Sequence, residues 1–599
     1  MCNMKKHKIY LLIGATLCLM PALTGCNDSF LERYPIVSIS PEAFFKNTTD
    51  LELYTNTYYA SLNPYFTDYT SDNYTSYSDT YSNNNLIRGS ITPDNCGGWA
   101  DWGTLRKYNI LLDNVYKATG DAAEIAHYIG LTRLMRATWY YQQVKWYNDV
   151  PWYSHALTDT DTEELYKPRD SRELVVDSIM ADLDYAVKHV STDMGNRTLM
   201  SKWYALAMQA RICLHEGTFR KYHDELELQG TANRFLQKAV EAASEIMESG
   251  LFEIDKTGGV NEAYQNLFTG YTLASSKEII LFKDYDNDLR IRHGAPEQSF
   301  NKITSFSRSL MESYEYLDED GNAVPFSTVA EHETMNFVDV FKNRDPRMAQ
   351  TFMYPGYMRP GVSTAYIQNM ELGGYPCIKF MVNDAAQLVS SLAYTDLPIC
   401  RYAEILLIYA EAKAELGQLT QDDMDKSVNL IRDRVGMPRI IISETKDDSN
   451  LNAQYPDISD KALLQIRRER RIELVNENFR WDDLMRWKEG HLIREVQQGI
   501  YVDQFGVFDV TGDGVPDVGI FKDAESNTIP EAERGNYVFY YLESGGQPAT
   551  ISLSEGDHGY IVVNSEIGNR HFEEPKYYYW PIPRQQRVLN PELEETIFW

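Results

Sequence analysis

From residue 105 onward, much of the chain repeats its hydrophobic positions with the period of an α-helix. The clearest stripe runs through residues 131–144, where Leu131, Leu134, Thr138, Tyr141 and Val144 fall on one face. This stripe ends at the turn sequence NDVP at 148–151, because proline cannot continue a helix. The pattern therefore predicts a long amphipathic helix that ends near residue 148.

Further segments show the same period, and several of them end at a glycine, which readily adopts the left-handed conformation that closes a helix. Small residues on one face of the segment at 401–416 would let a neighbouring helix approach closely. We therefore predict a mainly α protein built from antiparallel helix pairs like those of tetratricopeptide repeats, although the defining repeat consensus is absent. The predicted helices are 171–190, 201–216 before Gly217, 233–249 before Gly250, 401–416 before Gly417, 421–435 before Gly436, and 461–478.

Two stretches, 257–390 and 500–570, lack this regular period and are rich in turns. The first contains one strand-like run at 278–282. We divide the chain into an N-terminal helical region at 26–256 and a C-terminal region at 257–599 that carries an irregular insertion. A ligand-binding portion is expected among such loops, which also include a polar, tyrosine-rich stretch at 71–85.

The first 25 residues have the organisation of a bacterial signal peptide. Lys5, Lys6 and Lys8 precede an apolar run at 9–23, and the sequence LTGC at 23–26 resembles a lipobox. This pattern predicts cleavage before Cys26 and attachment of lipid to its thiol, which would anchor a soluble body to a membrane. The alternative is an ordinary secretory signal that is followed by an incidental cysteine.

Composition narrows the possible functions. The chain of 599 residues has a formal net charge of −30, so its surface repels the phosphates of nucleic acids. Beyond the N-terminus no apolar run approaches the roughly 18–20 residues that cross a membrane. The cysteines beyond Cys26 are Cys96, Cys213, Cys377 and Cys400. Their wide spacing predicts small buried side chains, and one disulfide between two of them is the alternative.

Several short sequences stand in this order along the chain: TRLMRATWYY at 132–141, SKW at 201–203, RDPR at 344–347, RYAE at 401–404, YAEA at 409–412, RDRVG at 432–436, RRERRIEL at 467–474, RWDDLMRW at 480–487 and YWPIP at 579–583. Together they resemble the SusD/RagB family of outer-membrane lipoproteins. The resemblance implies an α-rich body with tetratricopeptide-like units that rests on a TonB-dependent porin of the SusC type. It also implies capture of an oligosaccharide, or less often of a peptide, at the cell surface.

The charged residues of these sequences are interpreted as scaffold. On the predicted helix 461–478, Arg470 can reach Glu473 three residues on, and Glu469 and Glu477 lie near the other arginines. Such pairs on a helix surface each stabilise the helix by roughly 0.2–0.5 kcal/mol. We therefore expect them to brace this helix rather than to catalyse a reaction.

Candidate binding residues are aromatic side chains in loops, because the apolar face of a sugar ring stacks on a flat aromatic ring. Trp99 and Trp102 come first, with Asp101 between them in a turn-rich stretch. A second set, in the polar loop, consists of Tyr74, Tyr77 and Tyr81. The alternative for both sets is that the rings pack against the helical body or against the porin.

A third candidate site contains two arginines. Arg290 and Arg292 lie in a predicted loop at 284–293, where their guanidinium groups could bind the carboxylates of acidic sugars. The alternative is that they are solvated surface residues.

One stretch resembles a calcium-binding loop. Asp509, Thr511, Asp513 and Asp517 occupy positions 1, 3, 5 and 9 of an EF-hand-type pattern, with Val515 at position 7. The bidentate glutamate of position 12 is missing, because that position is Ile520. The stretch predicts a weak structural calcium site, with a plain acidic turn as the alternative, and no other cofactor is expected.

The sequence contains no HExxH, GxSxG or P-loop motif that would indicate an enzyme. The resulting prediction is a lipid-anchored glycan-binding protein at the extracellular side of the outer membrane, which delivers oligosaccharides to a SusC-like porin. The alternatives are a peptide-binding subunit of the same importer and a surface glycosidase.

Overall fold

The computed structural model of the protein describes residues 44–64, 66–68, 70–76, 84–301 and 305–599. The predicted signal peptide, Cys26, Tyr77 and Tyr81 lie outside the described residues. No helix of the described part of the chain is long and apolar enough to cross a membrane.

The described residues up to 301 contain ten α-helices, joined by loops and short 3-10 helices. The longest of them, α4, begins after Asp121, whose side chain accepts hydrogen bonds from the free N–H groups of Ala123 and Glu124. The helices are α1 (Thr48–Asn56), α2 (Asn84–Ile87), α3 (Trp102–Asn114), α4 (Ala122–Tyr147), α5 (Thr162–Leu165), α6 (Arg172–His189), α7 (Lys202–Tyr222), α8 (Ala232–Glu248), α9 (Ala263–Thr269) and α10 (Ala295–Asn301).

The second half contains shorter helices between irregular segments. These helices are α11 (Arg308–Ser313), α12 (Arg347–Thr351), α13 (Tyr402–Glu415), α14 (Gln421–Asp425), α15 (Val428–Arg434), α16 (Ser449–Gln454), α17 (Lys461–Glu473), α18 (Arg480–Arg486), α19 (His491–Arg494) and α20 (Arg584–Leu589).

The predicted helix pairs are confirmed. Helix α4 packs on α6, α7 packs on α8, and α8 in turn packs on α13. Helices α8, α13 and α15 end as predicted, with Gly250, Gly417 and Gly436 in the left-handed conformation just beyond them. The hydrophobic period and the terminal glycines therefore predicted these helices and their C-terminal ends correctly.

The prediction that Gly217 ends a helix is wrong, because α7 continues through it to Tyr222. A Cβ atom at position 217 would lie 2.7 Å from Cγ of Leu236 on α8. This glycine therefore lets α7 and α8 approach closely instead of closing α7.

Two other predicted helices differ in length. The segment 421–435 divides into α14 and α15, and α17 ends at Glu473 rather than near residue 478. Beyond α17, Asn476 and Asn478 both have a positive φ, so the chain turns away from the helical path there.

Small β-sheets lie in the irregular portion. The strand predicted at 278–282 is confirmed as β1, which pairs antiparallel with β4, whereas the strands between 500 and 570 were predicted only as turns. Two sheets of three strands have the orders β11-β12-β5 and β6-β7-β8. The strands are β1 (Ile279–Lys283), β2 (Tyr316–Leu317), β3 (Ala323–Val324), β4 (Leu397–Arg401), β5 (Tyr501–Val502), β6 (Gly506–Phe508), β7 (Val518–Phe521), β8 (Val538–Tyr541), β9 (Glu543–Ser544), β10 (Gln547–Pro548), β11 (Ile551–Leu553) and β12 (Gly559–Val563).

The largest buried apolar cluster contains residues from both sides of position 257, including Leu134 on α4, Leu236 on α8 and Leu406 on α13. The division of the chain at that position stays a prediction. The four cysteines of the described chain are buried and free, as expected for small core side chains, and they form no disulfide among themselves.

A cluster of buried charges surrounds α17. Glu473 accepts hydrogen bonds from Arg401 at 2.6 Å and from Arg434, and it forms an ion pair with Arg347 at 3.2 Å. Arg401 and Arg434 also bind Glu278, each at 3.0 Å. We name these five residues, together with Glu469, the arginine–glutamate cluster.

The partners in this cluster differ from the prediction. Arg470 does not pair with Glu473 but with Asp483 at 2.8 Å, and Glu469 binds Arg347 at 3.0 Å. The ion pairs of α17 are therefore contacts between distant segments rather than contacts within one helix. Because they are buried, breaking one costs far more than breaking a surface pair.

We predict that Glu473→Gln destabilises the protein by about 3–5 kcal/mol, because buried guanidinium groups would lose a compensating charge. Burial alone would raise the pKa of Glu473, but Arg434, Arg401 and Arg347 hold the pKa well below its usual value. Chemical unfolding measures the change.

The matched control is Glu241→Gln on the exposed face of α8, which should change the free energy of unfolding by less than about 0.5 kcal/mol. Equal effects of the two substitutions would contradict the structural role of the cluster.

Candidate functional site

A cavity of about 380 Å³ lies between α3, the loop 151–157 and the C-terminal helix α20. Trp99 and Trp102, the first candidates from the sequence, both line it. We name it the tryptophan cavity. Its volume falls within the range of about 300–1,000 Å³ that is typical of small-molecule sites.

One face of α3 forms the first wall of the tryptophan cavity. Trp102, Leu105, Arg106 and Asn109 are spaced i, i+3, i+4 and i+7, so they share one side of the helix. The third predicted residue, Asp101, caps this helix by accepting a hydrogen bond from the N–H of Thr104 at 3.2 Å. Asp101 therefore positions Trp102 and does not itself line the cavity.

The aromatic rings of the cavity are held by other rings behind them. Trp99 lies 5.7 Å from Trp102 and 4.7 Å from Tyr147, measured between ring centroids. Trp102 also contacts Trp139 at 5.2 Å and Tyr153 at 5.5 Å. The rings therefore have fixed orientations before any ligand binds.

The loop 151–157 is attached to α3 through Asn109. The side-chain amide of Asn109 donates to the carbonyls of Tyr153 and His155, at 2.9 and 3.0 Å. Its oxygen accepts a hydrogen bond from Arg136 at 2.9 Å, and Arg136 forms a bidentate pair with Asp182 on α6. The second wall is thus fixed to α3 by Asn109, whose side chain is held in turn by Arg136 on α4 and, through it, by Asp182 on α6.

Helix α20 and the residues after it form the third wall. Arg584 pairs with Asp94 at 2.6 Å, and Asn590 donates to the carbonyl of Lys167 at 3.1 Å. At the rim, Tyr166 is 52% exposed and Leu589 is 61% exposed. These two side chains could cover a ligand that rests on the tryptophans.

The charged and titratable residues of the cavity wall are few. Arg106 is the charged residue, and no aspartate or glutamate belongs to the described lining. The ring of His155 is held by Asp113 at 2.7 Å. Burial, followed by the nearby charges of Glu164 and Asp170, raises the pKa of Tyr153 to about 12, so its hydroxyl stays protonated at neutral pH.

Sequence reasoning missed Arg106, Tyr153, Tyr166 and Gln586. The spacing from Trp102 on a helix could have identified Arg106, because the sequence already predicts helical period from residue 105. Gln586 lies 484 positions from Trp102 along the chain, so no local pattern connects the two.

The structure corrects the placement of Tyr74. Its side chain is only 3% exposed, it packs 5.0 Å from Phe306, and its hydroxyl donates to Asn476. A ring in this position is part of the core and cannot stack on a ligand. Tyr77 and Tyr81 lie outside the described residues and stay predictions.

Arg290 and Arg292 lie on the predicted loop but do not line the tryptophan cavity. Arg290 is exposed, and Arg292 donates to the carbonyl of Asn287 at 3.3 Å. Their role in binding an acidic sugar stays a prediction.

In the calcium-like stretch the carboxylates accept hydrogen bonds from the loop itself. Asp509 accepts from the N–H groups of Gly512 and Gly514, at 2.6 and 2.8 Å. Asp517 accepts from the N–H and the hydroxyl of Thr511, at 3.0 and 2.9 Å. Asp513 accepts from the N–H of Val515 at 2.8 Å. The described residues contain no group of three or more His, Cys, Asp or Glu side chains arranged to hold a metal, and calcium binding stays a prediction.

If calcium binds this loop with a Kd of about 10⁻⁴–10⁻³ M, about 10 mM CaCl₂ should stabilise the protein by about 1–3 kcal/mol. Thermal unfolding with calcium, with magnesium and with EDTA measures this effect. The effect should disappear in Asp509→Asn, which removes a charge at position 1. An unchanged Tm in calcium would leave the stretch as an acidic turn.

Comparison with known proteins identifies the family. The family model of the SusD family matches residues 261–599. SusD-like protein P38 of Formosa agariphila is 24% identical over 514 residues, which cover 81% of this chain and 92% of that protein.

Solved structures share the fold. A SusD-like carbohydrate binding protein from Bacteroides fragilis aligns with a TM-score of 0.64 at 20% identity, covering 92% of this chain and 100% of that chain. A laminarin binding SusD-like protein aligns with a TM-score of 0.53 at 15% identity, covering 93% of this chain and 100% of that chain. The chain is a mainly α protein with the SusD-like fold, and it belongs to the SusD family.

Proposed function

We propose that this protein captures oligosaccharides in the tryptophan cavity at the cell surface and delivers them to a SusC-like TonB-dependent porin. The observation that carries the proposal is the set of pre-oriented rings, Trp99, Trp102 and Tyr153, in one cavity of about 380 Å³. Flat aromatic rings bind the C–H faces of sugars, while polar groups at the edge bind hydroxyls.

The relatives support a saccharide ligand. Two solved proteins of the same fold are described as carbohydrate binding and as laminarin binding. The tryptophan cavity offers this chain a surface of suitable chemistry for the same kind of ligand.

The proposal is binding without catalysis. A glycosidase needs two carboxyl groups beside the scissile bond, roughly 5–9.5 Å apart. The described lining of the tryptophan cavity contains neither aspartate nor glutamate, which favours capture over hydrolysis.

The proposed location follows from the N-terminal sequence. A lipid on Cys26 would hold the protein at the outer leaflet of the outer membrane, beside the porin that receives the ligand. Co-purification of the full-length lipoprotein with a co-expressed SusC-like porin tests this part of the proposal.

We predict that Tyr166→Ala weakens saccharide binding about 2- to 12-fold, because the loss of one stacking ring costs about 0.5–1.5 kcal/mol. Thermal unfolding should be nearly unchanged, since this side chain is half exposed. Trp99→Ala and Trp102→Ala should weaken binding further and should also lower Tm, because each removes ring contacts within the protein.

The measurement is calorimetric titration of residues 27–599 with neutral and acidic oligosaccharides and with short peptides, followed by product analysis. Tyr116→Ala is the matched control, because Tyr116 is 79% exposed and does not line the cavity. Binding of peptides alone would favour the peptide-importer alternative. Cleavage of a saccharide would contradict capture without chemistry.

A further inference from the structure

The tryptophan cavity contains an arginine that is positioned but not neutralised. Nε of Arg106 donates to the carbonyl of Leu157 at 3.0 Å, which fixes the plane of the guanidinium group. No carboxylate of the described residues forms an ion pair with Arg106, although Arg584 nearby on α20 is paired with Asp94. The terminal nitrogens of Arg106 are therefore available to a ligand.

Both asparagine amides of the same wall are already bonded to the protein. Asn109 has both ends of its amide bonded to protein groups. Asn590 donates to the carbonyl of Lys167, and its oxygen accepts from the N–H of Glu592 at 3.0 Å. Asp113, which holds His155 of the wall, is also engaged, because it accepts from His155 and from the N–H of Ala156 at 2.8 Å.

The wall also contains other polar side chains. The indole N–H groups of Trp99 and Trp102 can only donate, whereas the amide of Gln586 and the hydroxyls of Tyr153 and Tyr166 can donate and accept. A neutral sugar can bind these uncharged groups, because its hydroxyls both donate and accept, but it gains no ion pair with Arg106. A carboxylate or a sulfate ester only accepts, and a guanidinium group binds it with charge-assisted hydrogen bonds.

We infer that the tryptophan cavity selects an acidic saccharide, whose carboxylate or sulfate group binds Arg106 while a sugar ring stacks on Trp102. This inference rests on the proposed function and specifies its ligand class. It assigns the anion to Arg106 rather than to Arg290 or Arg292, which do not line the cavity.

The test compares ligands that differ only in charge. Oligogalacturonates are titrated against their carboxyl-reduced neutral forms, and sulfated galactan oligosaccharides against the desulfated forms. The charged form of at least one pair should bind at least about tenfold more tightly, and the pair that shows the difference distinguishes carboxylate from sulfate. Raising NaCl from about 0.05 to about 0.5 M should weaken only the charged ligand.

The variant is Arg106→Gln, with Arg290→Gln as the matched control on an exposed arginine outside the cavity. Arg106→Gln should remove most of the preference for the charged form, because it weakens binding of the charged form far more than binding of the neutral form. Arg290→Gln should leave both affinities unchanged. Circular dichroism and thermal unfolding verify that each variant is folded.

Three outcomes would overturn the inference. If the charged and neutral forms bind equally well and Trp102→Ala weakens both, the selectivity for an acidic saccharide is contradicted, whereas the proposed function is supported. A loss of affinity in Arg290→Gln but not in Arg106→Gln would place the anion on the 284–293 loop. No binding of any saccharide, charged or neutral, would contradict the proposed function as well.

Discussion

The pairing of buried guanidinium and carboxylate groups around α17 is the constraint on which the rest of the structure depends. A buried charge is costly unless it is paired, so the segments that carry Glu278, Arg347, Arg401 and Arg434 must all reach α17 together. Asp72 adds an N-terminal segment to the same helix through Arg471 at 2.9 Å. These contacts explain how irregular segments, with few strands and short helices, keep a single arrangement.

The same kind of interaction fixes the proposed site. Arg136 binds Asp182 and Asn109 at once, and Asn109 then holds the loop that carries Tyr153. Because these groups are satisfied inside the protein, the walls of the tryptophan cavity need little rearrangement when a ligand enters. Arg106, beside the flat rings of the wall, is a cation without an ion pair among the described residues. The cavity therefore combines a rigid apolar surface with a localised charge.

Local sequence patterns predicted most of the long helices, because hydrophobic period and glycine stops are short-range signals. These local patterns failed where a contact between distant segments determines the conformation or burial of a residue. Helix α7 continues through Gly217, where Leu236 of α8 packs closely. Tyr74 is buried because its ring packs on Phe306 and its hydroxyl donates to Asn476. The sequence identified Trp99 and Trp102 as candidate binding residues because they are aromatic residues in a turn-rich stretch. It did not identify the cavity wall formed by α20, because that helix is distant from the tryptophans in sequence. Likewise, the partners of α17 come from segments that no spacing rule connects.

The most direct test of the central claim is a crystal structure of residues 27–599 with a bound oligosaccharide that calorimetry has identified as a ligand. Electron density for a sugar ring is expected against Trp99 and Trp102, between the loop 151–157 and α20. Density for the saccharide elsewhere, with the tryptophan cavity empty, would contradict the claim and would assign capture to another surface of the protein.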